Sequence, residues 1–283
     1  METKAKESLS SGSRRKRIMN KPELIAFDLD DTLLRDDGTI SERTLHDLHR
    51  LAKEGIITVI ATGRMYATAK PYADLLALPD MPLILFSGAL IQKISGEKLY
   101  EKTLSPELTA QINKAAFRHG WTAQTYINDT LYVREKNSFV ESYERHTGIC
   151  AVETGTIDKI PRQGADKILI HGRADELPAV KAYLSKVTGQ EAELLFSRPE
   201  YLEIMAAGTS KGRALEAVCD YYKIDVSRAM AFGNGQNDTE MLKKAGFSVA
   251  VANSAYEVKK VADFVTESNN EDGVAVALER FVL

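Results

Sequence analysis

Three carboxylates within four residues, directly after an apolar run, constrain this chain more than any other feature. The run Leu24–Phe27 is apolar throughout and predicts a buried strand. Asp28, Asp30 and Asp31 follow it. Because a strand alternates its faces, Asp28 and Asp30 project to the same side with one residue between them. Two neighbouring anions at the end of a buried strand repel each other and are poorly solvated, so the pair indicates a divalent metal site with one carboxylate left for chemistry.

A plainer interpretation of the same segment is a strand followed by an acidic turn, because Asp and Thr are ordinary turn formers. For an isolated Asp-x-Asp pair this interpretation is the more common one. The apolar strand before the pair and Thr32-Leu33-Leu34 after it make the turn less favoured here. The choice depends on whether the rest of the chain supplies the partners that phosphoryl chemistry needs.

Composition limits the classes of protein to consider. The length of 283 residues suits one large domain or two moderate ones, and 44% apolar with 27% charged residues is typical of a soluble globular protein. The net charge of -3 argues against general nucleic-acid binding. Cys150 and Cys219 lie in no metal-ligand spacing, so we expect free thiols in a reducing, cytoplasmic setting. No apolar run reaches the length of a membrane span, so we expect no membrane partner.

Residues 1–20 are rich in Ser and basic residues and end in the run Arg14–Arg17. No apolar stretch follows that would serve as the core of a signal peptide. We interpret residues 1–20 as a flexible basic leader. A tether to nucleic acid or to a membrane surface is the less favoured alternative.

The order of predicted elements indicates an α/β fold. Ile56–Ala61 and Leu83–Phe86 are two further buried strands, and helical patterns separate the three strands, the first of them starting at Ser41. A strand–helix rhythm of this kind predicts a parallel sheet with right-handed crossovers. The buried-strand pattern resumes after residue 207, with Ala229–Phe232 and Phe247–Val251.

Between residues 88 and 207 the pattern is different. Strands there alternate apolar and polar residues and form pairs, such as Glu193–Phe196 with Tyr201–Met205. Half-exposed antiparallel strands with helices on one side are typical of an α+β module. We therefore predict a core domain formed by residues 21–87 and 208–283, with residues 88–207 inserted as a second domain.

The polar motifs all lie at the ends of core strands or next to the sheet edge that those ends form. Ligands of an open parallel sheet bind outside the carboxyl ends of its strands. A phosphate monoester is doubly charged and repels an attacking carboxylate, so Mg²⁺, a lysine and hydroxyl or amide donors are the groups it needs. An aspartate can act as nucleophile and a second one as acid and base. Each motif alone has an ordinary structural explanation; their joint order favours a phosphoryl-transfer site. The candidates are Asp28, Asp30, Thr62, Gly63, Lys211, Asn234, Asn237 and Asp238.

With these motifs the chain resembles the haloacid dehalogenase superfamily, and within it the Cof-type phosphatases. The resemblance implies a Rossmann-like parallel-sheet core with an inserted α+β cap domain. It spans nearly the whole chain after the leader. The matching segments are Phe27–Leu34, Ala61–Arg64, Ser87–Ala89, Ser210–Gly212, Gly233–Asp238, Asn253–Lys259 and Asn270–Val274.

The resemblance also implies roles. Asp28 would be the nucleophile and Asp30 the general acid and base. Mg²⁺ would be held by the Asp28 carboxylate, the Asp30 backbone carbonyl and the loop after the fourth core strand, through Asn234 and with a share for Asp238. The phosphoryl or substrate contacts would come from Thr62, Gly63, Arg64, Lys211 and Asn237.

The expected function is Mg²⁺-dependent hydrolysis of small phosphorylated metabolites, sugar phosphates first, through an aspartyl-phosphate intermediate. The cap would set substrate preference, with Tyr126, Tyr132, Arg134 and Arg198 as candidates. The main alternative is a catalytically weak relative that binds a phosphometabolite as a sensor. A phosphomutase is a third possibility and normally has a different cap. The oligomeric state is not predicted.

Two positions depart from the family's pattern. Asn234 stands where the family usually has a metal-binding aspartate, and its amide oxygen can ligate but lacks the charge. Ser87 stands where the family often has Asn, near the same rim, so substrate or phosphate contacts can differ there.

We expect Asn234→Asp to restore a charged ligand and so to lower the Mg²⁺ concentration needed for half-maximal turnover, with the fold unchanged. The measurement is a magnesium titration of turnover for the wild type and the variant. Superimposable titration curves would contradict the expectation that Asn234 weakens magnesium binding.

Overall fold

The structure is a computed structural model that describes residues 21–283; the predicted leader at residues 1–20 lies outside this range. The strands are β1 Leu24–Phe27, β2 Ile57–Ala61, β3 Pro82–Leu85, β4 Leu90–Lys93, β5 Lys98–Glu101, β6 Thr122–Ile127, β7 Thr130–Val133, β8 Val152–Glu153, β9 Lys167–His171, β10 Ala192–Arg198, β11 Tyr201–Ala206, β12 Ala229–Gly233, β13 Phe247–Ala250 and β14 Phe264–Val265. The α-helices are α1 Glu42–Lys53, α2 Tyr66–Leu76, α3 Pro106–His119, α4 Ser138–Thr147, α5 Leu177–Thr188, α6 Lys211–Tyr222, α7 Thr239–Lys244, α8 Tyr256–Val261 and α9 Gly273–Phe281.

Eight strands form the first sheet, in the order β14-β13-β12-β1-β2-β3-β4-β5, with β1 near its centre. The pairs from β14 to β3 are parallel, and β4 and β5 extend the sheet as antiparallel strands. The central parallel strands are apolar along almost their whole length because both faces of the sheet are covered. The predicted α/β class with a parallel-sheet core is confirmed.

Six strands form the second sheet, in the order β10-β11-β9-β6-β7-β8, which we call the cap sheet. Its pairs are antiparallel except β7 with β8. Helices α3 and α5 pack on one face of it and share a buried apolar cluster with its strands, separate from the clusters of the first sheet. The inserted α+β module that the alternating pattern predicted is therefore present.

The two sheets divide the chain differently from the predicted boundary at residue 88. Strands β4 and β5 follow that residue, yet they pair with the first sheet, and the chain leaves this sheet only after Glu101. Strand β5 is exposed except for the half-buried Leu99, as expected of a half-exposed strand of the inserted module. An antiparallel hairpin at the edge of a sheet has the same pattern, because one side of it faces solvent.

Strand β1 is packed on both faces and fixes the position of the residue that follows it. Ile25 and Phe27 contribute to one apolar cluster, and Leu24 and Ala26 to the cluster on the opposite face. The ring of Phe27 stacks on Phe232 of β12, with 4.9 Å between the ring centroids. Since β1 pairs in parallel with both β12 and β2, the carboxyl ends of these three strands meet at one edge of the sheet.

Cys150 and Cys219 are free thiols, as the sequence predicted. The first is exposed and the second is buried. Between residues 21 and 283 no helix combines the length and the apolar character needed to cross a bilayer.

We expect Phe232→Ala to lower the free energy of unfolding by about 3–5 kcal/mol, because the variant opens a cavity against Phe27 in a fully buried layer. Denaturant titration measures the loss. Leu75→Ala is the matched control: Leu75 lies on α2 with 52% of its surface exposed, so its change should stay within about 0.5 kcal/mol. Equal losses in the two variants would contradict this account of the core.

Candidate active site

Lys211 occupies the centre of the polar edge of the first sheet. It is the first residue of α6, and the Ser210 hydroxyl caps this helix by accepting the backbone N–H of Arg213 at 3.1 Å. The Lys211 side chain is fully buried, and its Nζ donates to Asp28 Oδ1 and to Asp238 Oδ1, both at 2.6 Å. One cation thus lies between two buried carboxylates that come from different loops.

This arrangement leaves more negative charge than Lys211 balances. Burial, and next the nearby Asp238 carboxylate, raise the pKa of Asp28 to about 7 in spite of the ammonium group. Burial alone would lower the pKa of Lys211, but Asp238 and Asp28 outweigh it and hold that pKa above its usual value. Lys211 is therefore charged, and Asp28 lies where a further cation would favour its ionised form.

Asp238 also organises the loop that follows β12. Its Oδ2 accepts the backbone N–H groups of Asn234 at 2.9 Å and Gly235 at 2.8 Å. A side chain on Gly233 would place its Cβ 2.6 Å from the Cβ of Asp238, so the close approach requires glycine there. Both oxygens of Asp238 are thus occupied in holding the loop and Lys211 together.

Asn234 lies beside the segment after β1. Its Oδ1 accepts the hydroxyl of Thr32 at 3.2 Å, and Thr32 is almost fully buried. Asn253 donates through Nδ2 to the backbone carbonyl of Asp31 at 2.7 Å. Asp31 has φ of +57°, a left-handed conformation that an aspartate tolerates. These bonds fix the turn in which Asp28 and Asp30 are presented.

Asp30 is held by Arg64 rather than by Lys211. Arg64 donates through Nε to Oδ2 at 3.0 Å and through Nη2 to Oδ1 at 2.6 Å. The guanidinium also donates to the carbonyl of Thr68 and lies over the ring of Tyr72. The sequence left open whether Arg64 contacts substrate or cap; the structure places it on Asp30 and nine-tenths buried.

Thr62 and Gly63 form the loop at the end of β2. Thr62 is fully buried, and its Oγ1 accepts the backbone N–H of Arg64 at 3.1 Å. The Thr62 carbonyl accepts the N–H of Ser87 from the end of β3 at 2.9 Å. The two loops are therefore joined by a main-chain hydrogen bond.

A cavity of about 550 Å³ lies between this edge and the cap sheet. It includes six of the predicted site residues, whereas the other three, Lys211, Thr62 and Asp238, are fully buried and do not line it. From the cap side it includes polar as well as aromatic side chains. The predicted residues on its wall are Asp28, Asp30, Gly63, Arg64, Asn234 and Asn237, and the cap residues include Tyr143, Lys167, Phe196, Arg198, Tyr201 and Glu203.

Of the four cap candidates from the sequence, only Arg198 lines the cavity, where its Nη2 is 2.9 Å from Asp31 Oδ2. Tyr126 is fully buried beneath it, and Arg134 lies over the ring of Phe117 in another part of the cap. Tyr132 pairs across the cap sheet with Thr125 of β6 and does not line the cavity.

Lys167 and Glu203 are cavity residues that the sequence did not single out. Both are nearly fully buried, and they form an ion pair with Nζ 3.3 Å from Oε1. The sequence does carry a signal for Glu203. It shares one face of β11 with Tyr201 and Met205, and a buried acid is unusual on such a face. Lys167 begins an apolar strand and had the appearance of an ordinary strand end.

The donor groups at the carboxyl edge fit a hard divalent cation. In residues 21–283 no three or more His, Cys, Asp and Glu side chains are grouped so as to hold a metal ion by themselves. Asp30 and Asn234 line the same cavity as Asp28 and offer further oxygen donors, a backbone carbonyl and a side-chain amide, and oxygen ligands are those that Mg²⁺ prefers. The under-compensated charge of Asp28 favours such a cation.

Residues 25–278 match the haloacid dehalogenase-like hydrolase family. A relative from Bacillus subtilis (strain 168), named 5-amino-6-(5-phospho-D-ribitylamino)uracil phosphatase YitU, is 33% identical over 271 residues, covering 92% of this chain and 98% of the relative. A protein of Yersinia pestis named HMP-PP phosphatase is 30% identical over 237 residues, covering 84% of this chain and 86% of the relative.

Solved structures also superpose closely on this chain. A haloacid dehalogenase-like hydrolase from Bacteroides thetaiotaomicron superposes with a TM-score of 0.84 at 30% identity, covering 92% of this chain and 99% of that one. A Thermotoga maritima protein superposes with a TM-score of 0.82 at 28% identity, covering 93% and 98%. The predictions of the family and of a phosphatase are confirmed. This chain belongs to the haloacid dehalogenase-like hydrolase family.

Proposed function

We propose that this chain hydrolyses small phosphorylated metabolites in a Mg²⁺-dependent reaction that passes through an aspartyl phosphate on Asp28. The observation that carries the proposal is the Asp28 carboxylate, which lies on the cavity wall with one oxygen fixed by a fully buried lysine. A second carboxylate, Asp30, lies two residues further on and lines the same cavity.

We assign different parts to the two oxygens of Asp28. Lys211 is bonded to Oδ1, so Oδ2 is the oxygen that we assign to attack on phosphorus. The new bond joins Oδ2 to phosphorus as the bond from phosphorus to the ester oxygen breaks. Asp30 donates a proton to that leaving oxygen. Asp30 then accepts a proton from the water that attacks the phosphorus, and inorganic phosphate leaves with Asp28 restored.

Asp30 can act as an acid only after one of its oxygens leaves Arg64, because both are bonded to the guanidinium here. Entry of a substrate between the cap sheet and the core is the event that we expect to loosen this pair. Catalytic hydrogen bonds often form only in the complex with substrate, so the paired state is compatible with the role. In the absence of substrate Arg64 keeps Asp30 oriented.

The phosphoryl group would be received by Thr62, Gly63 and Asn237, which follow β2 and β12, the two strands on either side of β1. We assign Mg²⁺ to the Asp28 carboxylate, the carbonyl of Asp30 and the amide oxygen of Asn234. The ion would neutralise the repulsion between the phosphate and the carboxylate. Asp238 was predicted as a further ligand, but its two oxygens hold Lys211 and the loop amides, so we assign it to positioning.

The substrate class rests on the cavity and on the relatives. A volume of about 550 Å³ suits a phosphorylated small molecule. Phe196, Tyr201 and Tyr143 give the cap side of the cavity apolar and aromatic area, beside the polar wall of the core. Two relatives are named as phosphatases of 5-amino-6-(5-phospho-D-ribitylamino)uracil and of HMP-PP. Sugar phosphates and ring-bearing phosphates are therefore the compounds to test first.

We expect Asp28→Asn to reduce hydrolysis of an aryl phosphate in the presence of Mg²⁺ to background, because a side-chain amide cannot form the acyl phosphate. Asp30→Asn should lower kcat by about 10²–10⁴-fold, as expected when a general acid is lost. Asp37→Asn is the matched control, since this exposed acid accepts hydrogen bonds from Thr39 in a nearby turn.

Turnover that persists in Asp28→Asn would refute the nucleophile assignment. A wild type that binds phosphate esters but hydrolyses none would favour the alternative of a sensor, for which the missing carboxylate at Asn234 is the motivating feature.

Removal of divalent ions with a chelator should abolish turnover, and added Mg²⁺ should restore it. The thermal unfolding midpoint should change little, because Lys211 and Arg64 already pair the carboxylates of the site. The two measurements are made on the same sample. Full activity in the presence of the chelator would contradict the magnesium assignment, whereas a large drop in the unfolding midpoint would show that the ion has a structural part.

A further inference from the structure

The cap sheet carries a buried ion pair that faces the core. Lys167 begins β9, and Glu203 lies on the neighbouring strand β11, where it pairs with Leu169. Residues two apart on a strand share a face, so Lys167 and Glu203 are diagonal neighbours on one face of the cap sheet. Their side chains are 3% and 5% exposed, and Lys167 Nζ lies 3.3 Å from Glu203 Oε1.

The remaining bonds of this pair go to the core. Lys167 Nζ donates to the backbone carbonyl of Gly63 at 2.6 Å, and Glu203 Oε2 accepts the hydroxyl of Ser87 at 2.8 Å. The ammonium also lies 5.1 Å from the centre of the Tyr126 ring. A buried ion pair is costly unless further hydrogen bonds satisfy it. Here those bonds exist only while the cap sheet lies against the core.

The core groups that are contacted belong to the loops that would receive the phosphoryl group. Gly63 follows Thr62 at the end of β2, and Ser87 follows β3 and donates its N–H to the Thr62 carbonyl. A Cβ on Gly63 would lie 3.1 Å from Glu203 Oε1 and 3.3 Å from Ser87 Oγ, so the carboxylate is packed directly on this glycine. Ser87 has φ of +54° and Phe86 has φ of +48°, two successive strained residues that the surrounding bonds must hold.

We propose that Lys167 and Glu203 are positioning residues for the phosphatase reaction, which act through Gly63 and Ser87. These four residues form a cap–core clamp. Closing the clamp fixes the carbonyl of Gly63 and the hydroxyl of Ser87, and with them the loop that presents Thr62 to the phosphoryl group. The proposal rests on the function proposed above.

The clamp also explains the serine at position 87. Its hydroxyl is short enough to fit beneath Glu203 while Gly63 approaches the same carboxylate. Lys167 and Glu203 themselves line the substrate cavity together with Asp28 and Asp30. The groups that join the two sheets therefore border the space that the substrate must occupy, so cap closure and loop geometry are set by the same contacts.

The test compares Lys167→Met and Glu203→Gln with a control in the same sheet, Thr125→Val. Thr125 is fully buried in β6 and donates to Asn113 inside the cap, so its replacement removes a buried bond without touching the core. We expect Lys167→Met to lower kcat by about 10²-fold, the loss associated with a misplaced reacting group, with a smaller change in KM. Glu203→Gln retains a hydrogen-bond acceptor, so its kcat should fall less than that of Glu203→Leu. Thr125→Val should keep the wild-type kcat.

Hydrogen–deuterium exchange gives a readout that does not depend on activity. Peptides covering residues 62–64 and 86–89 should exchange faster in Lys167→Met and Glu203→Gln, and at the wild-type rate in Thr125→Val. Unchanged kcat in a folded Lys167→Met, unchanged exchange in both loops, or an equal loss of kcat in Thr125→Val would each overturn the clamp. If the wild type hydrolyses no phosphate ester, the proposed function fails, and the exchange data still decide whether the clamp holds the loops.

Discussion

One buried ammonium group between two buried carboxylates holds the reactive edge of this protein together. Lys211 reaches Asp28 at the end of β1 and Asp238 in the loop after β12, and it starts from the capped end of α6. Three segments far apart in the chain thus meet on one cation. Removing one partner of such a group leaves uncompensated buried charge, which costs several kcal/mol, about 3–5 in measured cases. The position of Asp28 therefore depends on Lys211 as much as on strand β1.

The same principle recurs at two further places around the cavity. Arg64 holds both oxygens of Asp30, and Lys167 of the cap sheet holds Glu203 and the carbonyl of Gly63. Each acid near the cavity floor is oriented by a cation before a substrate arrives. Fixed charges and dipoles of this kind need little rearrangement during a reaction, which is the main source of electrostatic catalysis. The charge of Asp28 stays under-compensated, which favours a further cation beside it.

Much of the fold follows from local patterns in the sequence. Apolar runs predicted β1, β2 and β12, and the register of a parallel sheet then brought Asp28, Thr62 and Asn234 to one edge. Strands β4 and β5 were assigned to the wrong side of the domain boundary because a half-exposed edge hairpin resembles a half-exposed hairpin of an inserted antiparallel module. Periodicity reports which face is buried, not which sheet a strand joins.

The short sequence motifs predicted which residues come together at the candidate site. The partners of Arg64 and Asp238 were not predictable, because the sequence gives the residue types and not the side-chain directions that decide between Asp30, the loop amides and a ligand. Lys167 and Glu203 were missed for a related reason. Their importance lies in contacts between the two sheets, and no spacing of residues along the chain predicts those contacts.

The central claim is that Asp28, oriented by Lys211, forms the bond to phosphorus. Rapid acid quenching of a reaction with a radiolabelled phosphate ester, followed by peptide mapping, tests it most directly. The account predicts label on the peptide that contains Asp28, in a form released by hydroxylamine as an acyl phosphate is. Product formation with no labelled peptide, or with label on a peptide that lacks Asp28, would contradict it.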